Sequence, residues 1–131
     1  LTIREKNAVD QWLASDKKFH IMRDHPYHAT HILGGMWGVK GDLLNNMTDY
    51  INSYIKGDFW QVDQNFLKEK IYPIVREHAF VHDEYFGNHF DQVTHPYLNP
   101  RDEKHFIGQA YAGDDQILDA PEYFNDYLKG K

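Results

Sequence analysis

The chain has 131 residues, 41% of them hydrophobic and 26% charged, which is the make-up of one ordinary globular domain and excludes a disordered segment. It contains no cysteine, so disulfide scaffolds, cysteine-ligated zinc and thiol catalysis are ruled out. Net charge is −6, from 14 Lys and Arg against 20 Asp and Glu, and no basic patch of the kind nucleic acid requires is visible.

The elements follow in chain order. Thr2 with Glu5 three residues later reads as a capping box, and Ala8, Val9, Trp12 and Leu13 then give one apolar helical face. Ser15 to Lys18 ends that helix. Phe19-His20-Ile21-Met22 reads as a short strand of alternating character, broken by Asp24-His25-Pro26. Pro26 pushes His25 towards an extended backbone, so residues 25–31 read as a loop. Ile32 to Val39 is apolar but holds three glycines, which predicts a strand interrupted where the backbone bends or meets something closely.

A second helix is expected over Met47, Tyr50, Ile51, Tyr54 and Ile55, capped by Asn46 with Asp49 and stopped by Gly57. On that reading the sequon Asn46-Met47-Thr48 serves capping rather than glycosylation. A third helix starts near Asp63, buries Phe66, Leu67, Ile71, Ile74 and Val75, and is kinked by Pro73. Ala79 to His82 reads as a strand, residues 85–104 as a loop, Phe106 to Tyr111 as a last strand, and the remainder as a polar tail. One core is expected from Trp12, Met47, Ile51, Ile55, Leu67, Ile71 and Val81. The order predicts a single α/β domain over residues 1–131, with α+β also open: three helices packed on a small mixed sheet, without repeats or linkers.

Chemistry concentrates between Phe19 and Gly38. There Arg23, Asp24, His25 and His28 run into Gly34-Gly35-Met36-Trp37-Gly38, so groups able to bind or clamp sit beside a permissive backbone and a flat aromatic face. Arg23, His25, His28, Gly34, Gly35 and Trp37 are the candidate substrate-binding residues. The spacing of His25, His28 and His31 suggests metal, but in a loop it fixes no shared face. His78 and His82 are weak for the same reason. His82-Asp83-Glu84 closes a strand, where α/β folds place ligands. Phosphate-loop, dinucleotide, zincin and nucleophile-elbow motifs are all missing, and no Asp-x-Asp pair occurs. No apolar run approaches the ~20 residues of a membrane span, and the start shows no signal-peptide pattern, so a cytoplasmic location is expected.

Three runs carry a resemblance. Arg4-Glu5-Lys6-x-Ala8-Val9-x-x-Trp12-Leu13, Phe19 to Pro26 with His28, and Ile32 to Gly38 together resemble a block of GT-A-type glycosyltransferases from bacteria and large DNA viruses. Tyr72-Pro73, His82-Asp83 and Phe106 to Gln109 extend the resemblance to about residue 110. In that family an Asp-x-Asp-Ser-Arg run precedes the position of Leu1. The resemblance therefore implies the C-terminal, acceptor-side half of a nucleotide-sugar transferase, with the nucleotide-binding half upstream in a larger protein. It implies a nucleotide sugar, a glycan acceptor and a divalent cation, Mn or Mg, with His82 as the candidate ligand from this half. Acids near the glycine-rich segment are the candidate catalytic groups. Asp83, beside like-charged Glu84, is the expected base, and Asp24, between Arg23 and His25, the expected positioning group.

Two other classes of function stay open on the residues. One is a non-catalytic carbohydrate-binding or interaction module built on the aromatics, the other a histidine-rich metal protein. A carboxylate near Gly34-Gly35, with a histidine on the same cleft, favours transfer; an open apolar patch favours binding; a closed three- or four-ligand site favours metal.

Overall fold

A computed structural model describes residues 2–54, 62–101 and 105–109. Helix α1 (Ile3–Leu13) starts at Thr2, whose Oγ1 accepts the Glu5 backbone N–H at 3.1 Å. Strand β1 (Phe19–Met22) and strand β2 (Trp37–Val39) follow, then helix α2 (Met47–Ser53). A continuous helical run covers residues 62–78: α3 (Val62–Phe66), a π turn (Leu67–Ile71), α4 (Tyr72–Val75) and a 3₁₀ turn (Arg76–His78). The expected kink thus takes the form of a π turn just before Pro73, whose ring and missing N–H do not suit a regular α-helix interior. Strand β3 (Ala79–His82), a 3₁₀ turn (Gly87–Phe90) and strand β4 (Thr94–His95) complete the described elements.

The sheet runs β2-β1-β3-β4, with β1, β3 and β4 parallel and β2 antiparallel to β1. This is a mixed α/β fold. All four residues of β1 are buried, because both faces of the central strand are covered. Phe19 and Ile21 pack with Val81 against Leu67, Ile71, Tyr72 and Val75 of the helical run. Met22 packs on the opposite side with Ala8 of α1, Met36, Tyr97 and Ile107. The Trp12 ring of α1 stacks on His20 at 4.9 Å between centroids.

Several expectations are corrected here. The single core is two clusters, one on each face, with Trp12 away from Leu67, Ile71 and Val81. Ile51 is 54% exposed, and α2 buries none of its residues. Leu13 is exposed, so the apolar stripe of α1 is narrower than it reads. Asn46 makes no side-chain capping bond. Only residues 37–39 of the glycine-broken segment are strand, whereas 94–95, read as loop, pair with β3. Residues 105–109 form a turn with Gly108 at φ +91° instead of the start of a strand. Ile55, Gly57, Ala110, Tyr111 and the tail lie outside the described residues.

Candidate functional site

Parallel strands present their carboxyl ends on one edge, which is where open α/β sheets take ligands. β1 leads there into Arg23-Asp24, and β3 into Asp83-Glu84. The start of α1 reaches the same edge, since Arg4 bonds Asp24. Gly34 and Gly35 lie just before Met36, whose carbonyl accepts the Met22 N–H, so the glycine pair shares that edge too.

Asp24 and Asp83 are sealed at this edge. Asp24, fully buried, accepts from the Arg4 guanidinium at 2.7 Å through one oxygen and from the Ile107 N–H at 2.8 Å through the other. Asp83 accepts from Arg23 Nε at 2.8 Å through Oδ2, and from the Tyr85 and Phe86 N–H groups through Oδ1. Arg23, also fully buried, spends its remaining donors on the Thr30 and His31 carbonyls and on Gln92. Burial lowers its pKa, and the Asp83 carboxylate opposes that shift. Two buried ion pairs therefore tie loop 25–31, α1 and the 3₁₀ corner to the strand ends. Neither carboxylate faces an open space where an acceptor hydroxyl could meet it, so the structure makes them staples of this edge instead of exposed acids.

The histidines are packed likewise. His28 Nδ1 accepts the Asp24 N–H at 2.9 Å, and burial, with His25, Arg101 and Arg23 nearby, lowers its pKa to about 3. His25 Nδ1 accepts the Tyr27 N–H, its ring lies 4.5 Å from Phe106, and burial with Arg101 lowers its pKa to about 4. His82 sits between Gln11 and His20. With the Gln11 carbonyl accepting at 2.9 Å, His82 Nε2 carries the proton and Nδ1 accepts from His20 Nε2 at 2.8 Å. Burial first, then neighbouring positive charge, lowers His82 to about 4, and burial with His82 lowers His20 to about 3. Both ring nitrogens of His82 are thus engaged, and it offers none to a cation in this arrangement. Among the described residues no three His, Asp or Glu side chains converge as metal ligands.

Gly34 meets a different acid. A Cβ on Gly34 would stand 2.6 Å from Asp63 Oδ2, so the absence of a side chain lets this carboxylate lie against the loop backbone. Gly35 adopts φ +81°, and a Cβ there would meet open space. Asp63 is exposed, in the first turn of α3. Trp37 is half-buried with one face stacked on Phe19 at 5.5 Å. Sequence reading placed Asp63 only as a helix start, because nothing in its local sequence marks it and the partner lies in another element. The glycine pair was the signal, and it asks which group approaches rather than naming it.

No protein family, curated protein or solved structure matches this chain. Among the described residues no helix is long and apolar enough to cross a membrane.

Proposed function

We propose that the chain is a glycosyltransferase-like domain that contributes acceptor and sugar binding for transfer from a nucleotide sugar, with Asp63 as the base. The observation that supports this is the Asp63 carboxylate, exposed to solvent yet seated on the Gly34 backbone at the strand-end edge. A base must reach the proton it takes, and Asp63 combines exposure with contact to Gly34. In an inverting transfer the acceptor hydroxyl oxygen attacks the anomeric carbon and its proton passes to Asp63. The bond from that carbon to the diphosphate breaks, and the nucleoside diphosphate leaves with the electron pair. Gly34 and Gly35 keep the loop low enough for a sugar to approach, and the Trp37 indole supplies a flat apolar edge beside it.

A bound divalent cation would neutralise charge on the departing diphosphate. The described residues do not form its ligand set, so no step here runs through it. Asp24 and Asp83 act in this reading by holding the edge in shape.

Saturation-transfer NMR with UDP-glucose, GDP-mannose and methyl glucoside tests the reading. Contact between a sugar ring and the protein, weakened by Trp37→Ala and Gly34→Ala, is the expected result. No contact by any of the three probes would remove the proposal.

A further inference from the structure

A groove of about 360 Å³ opens between the helical run and the 3₁₀ corner that follows β3. One wall is the helical run, through Lys68, Tyr72 and Arg76; the other is His31 with the corner Phe90-Asp91. Its floor is aromatic, with the His31 ring 4.6 Å from Tyr72 and 4.8 Å from Phe90. The Tyr72 hydroxyl donates to the Phe90 carbonyl at 3.0 Å and holds the two walls together. At one end Arg76 meets Asp91 at 2.7 Å, and Asp91 is held at φ +54°, the left-handed region that non-glycine residues seldom enter. Lys68 belongs to the π turn, an irregularity that often marks functional positions.

The charge of this groove runs against that of the chain. In a protein of net charge −6 it collects two full cations, Lys68 and Arg76, against one carboxylate, Asp91. The His31 pKa is lowered by burial and then by the positive charge of Lys68, Arg23 and His89, a further sign that the field inside is positive. A cleft with an excess of one sign of charge favours ligands of the opposite sign. Along the chain, the groove's residues neighbour those of the proposed site. His31 is three residues before Gly34, and Lys68 is five residues after Asp63, little more than one turn along the same run.

We propose that this groove binds a phosphoryl or carboxylate group, with Lys68 and Arg76 as its cationic contacts and the His31–Phe90 floor under the ring that carries it. Resting on the transferase reading, this makes the acceptor an acidic or phosphorylated sugar. The anion competes with Asp91 for Arg76, and the ring covers the aromatic floor.

The test is an NMR titration of the whole chain with methyl glucoside, glucuronate, glucose 6-phosphate and inorganic phosphate. The two charged sugars should bind about tenfold more tightly than the neutral glycoside, the scale of one charge-assisted hydrogen bond, and should shift the His31 ring signals. That preference should vanish in Lys68→Gln/Arg76→Gln, which alters two exposed residues, and should grow in Asp91→Asn. Equal affinity for charged and neutral sugars, or a preference that survives the double substitution, overturns the inference. Inorganic phosphate binding as tightly as glucose 6-phosphate overturns the sugar part of it. Neutral-glycoside contact at Trp37 without charge preference sinks this inference and keeps the transferase reading; charge preference at His31 without contact at Trp37 does the reverse.

Discussion

Asp83 and Asp63 are the same residue type in opposite surroundings. Asp83 is 3% exposed, with both oxygens occupied by Arg23 and two backbone N–H groups. Asp63 is exposed and rests on a backbone that has no side chain at Gly34. A carboxylate surrounded by fixed donors holds structure together, and one with a free approach can take a proton. The difference lies in what each acid faces, which the residues next to it in sequence do not reveal.

The largest effect should come from breaking the sealed side. Asp83→Ala leaves the Arg23 guanidinium buried without its charge partner, a change that costs about 3–5 kcal/mol. Urea denaturation should show that loss. A midpoint shifted by less than about 1 kcal/mol would mean that Arg23 finds another acceptor. Next comes the core under the sheet. Ile71→Ala, in a fully buried position, should cost about 2–5 kcal/mol. Ile51→Ala should cost no more than about 0.5 kcal/mol, since that side chain is half in water.

The sealed side also predicts acid lability. His20, His25, His28 and His82 have folded pKa values of about 3 to 4, below their ordinary value of 6.5. The unfolded chain therefore binds more protons than the folded one as pH falls from 6.5. Stability is full above that pH and declines below it, by about 1.4 kcal/mol per pH unit for each histidine kept neutral. Melting temperature should be flat above pH 7 and drop steeply between pH 6 and 4. A flat profile through that window would show that the rings are not buried as described.

Much of the scaffold was legible in the sequence. The capping residue Thr2, strand 19–22 and strand 79–82 are set by local chemistry, and they stand where the sequence puts them. The third helix was legible as well, because Leu67, Ile71 and Val75 repeat at helical spacing. Ile51 misled because a stripe shows only that a face is apolar, not that anything covers it. Thr94–His95 was hidden, since two residues pair with β3 without any alternating pattern. The site was half legible. Gly34 does mark a close approach, that of Asp63, but the acids expected there, Asp24 and Asp83, turn inward to Arg4 and Arg23. The acid that meets Gly34 arrives from a different element, α3.

A smaller and more selective effect is expected on the open side. Gly34→Ala puts a methyl where Asp63 Oδ2 sits, and only a flexible carboxylate has to move. Stability should change by about 1 kcal/mol or less, whereas any sugar transfer should fall because the acid is displaced. Transfer unchanged in Gly34→Ala would separate the glycine from the chemistry.

The most direct measurement compares Asp63→Asn with Asp83→Asn by two readouts, the urea midpoint of the chain and, in the larger protein that the transferase reading implies, sugar transfer from a nucleotide sugar. Asp63→Asn should keep the midpoint within about 0.5 kcal/mol and lose transfer by roughly 10²-fold or more, the scale of a lost general base. Asp83→Asn should lower the midpoint by several kcal/mol, as expected for a broken buried pair. The account is contradicted if Asp83→Asn keeps its stability and loses transfer while Asp63→Asn keeps both.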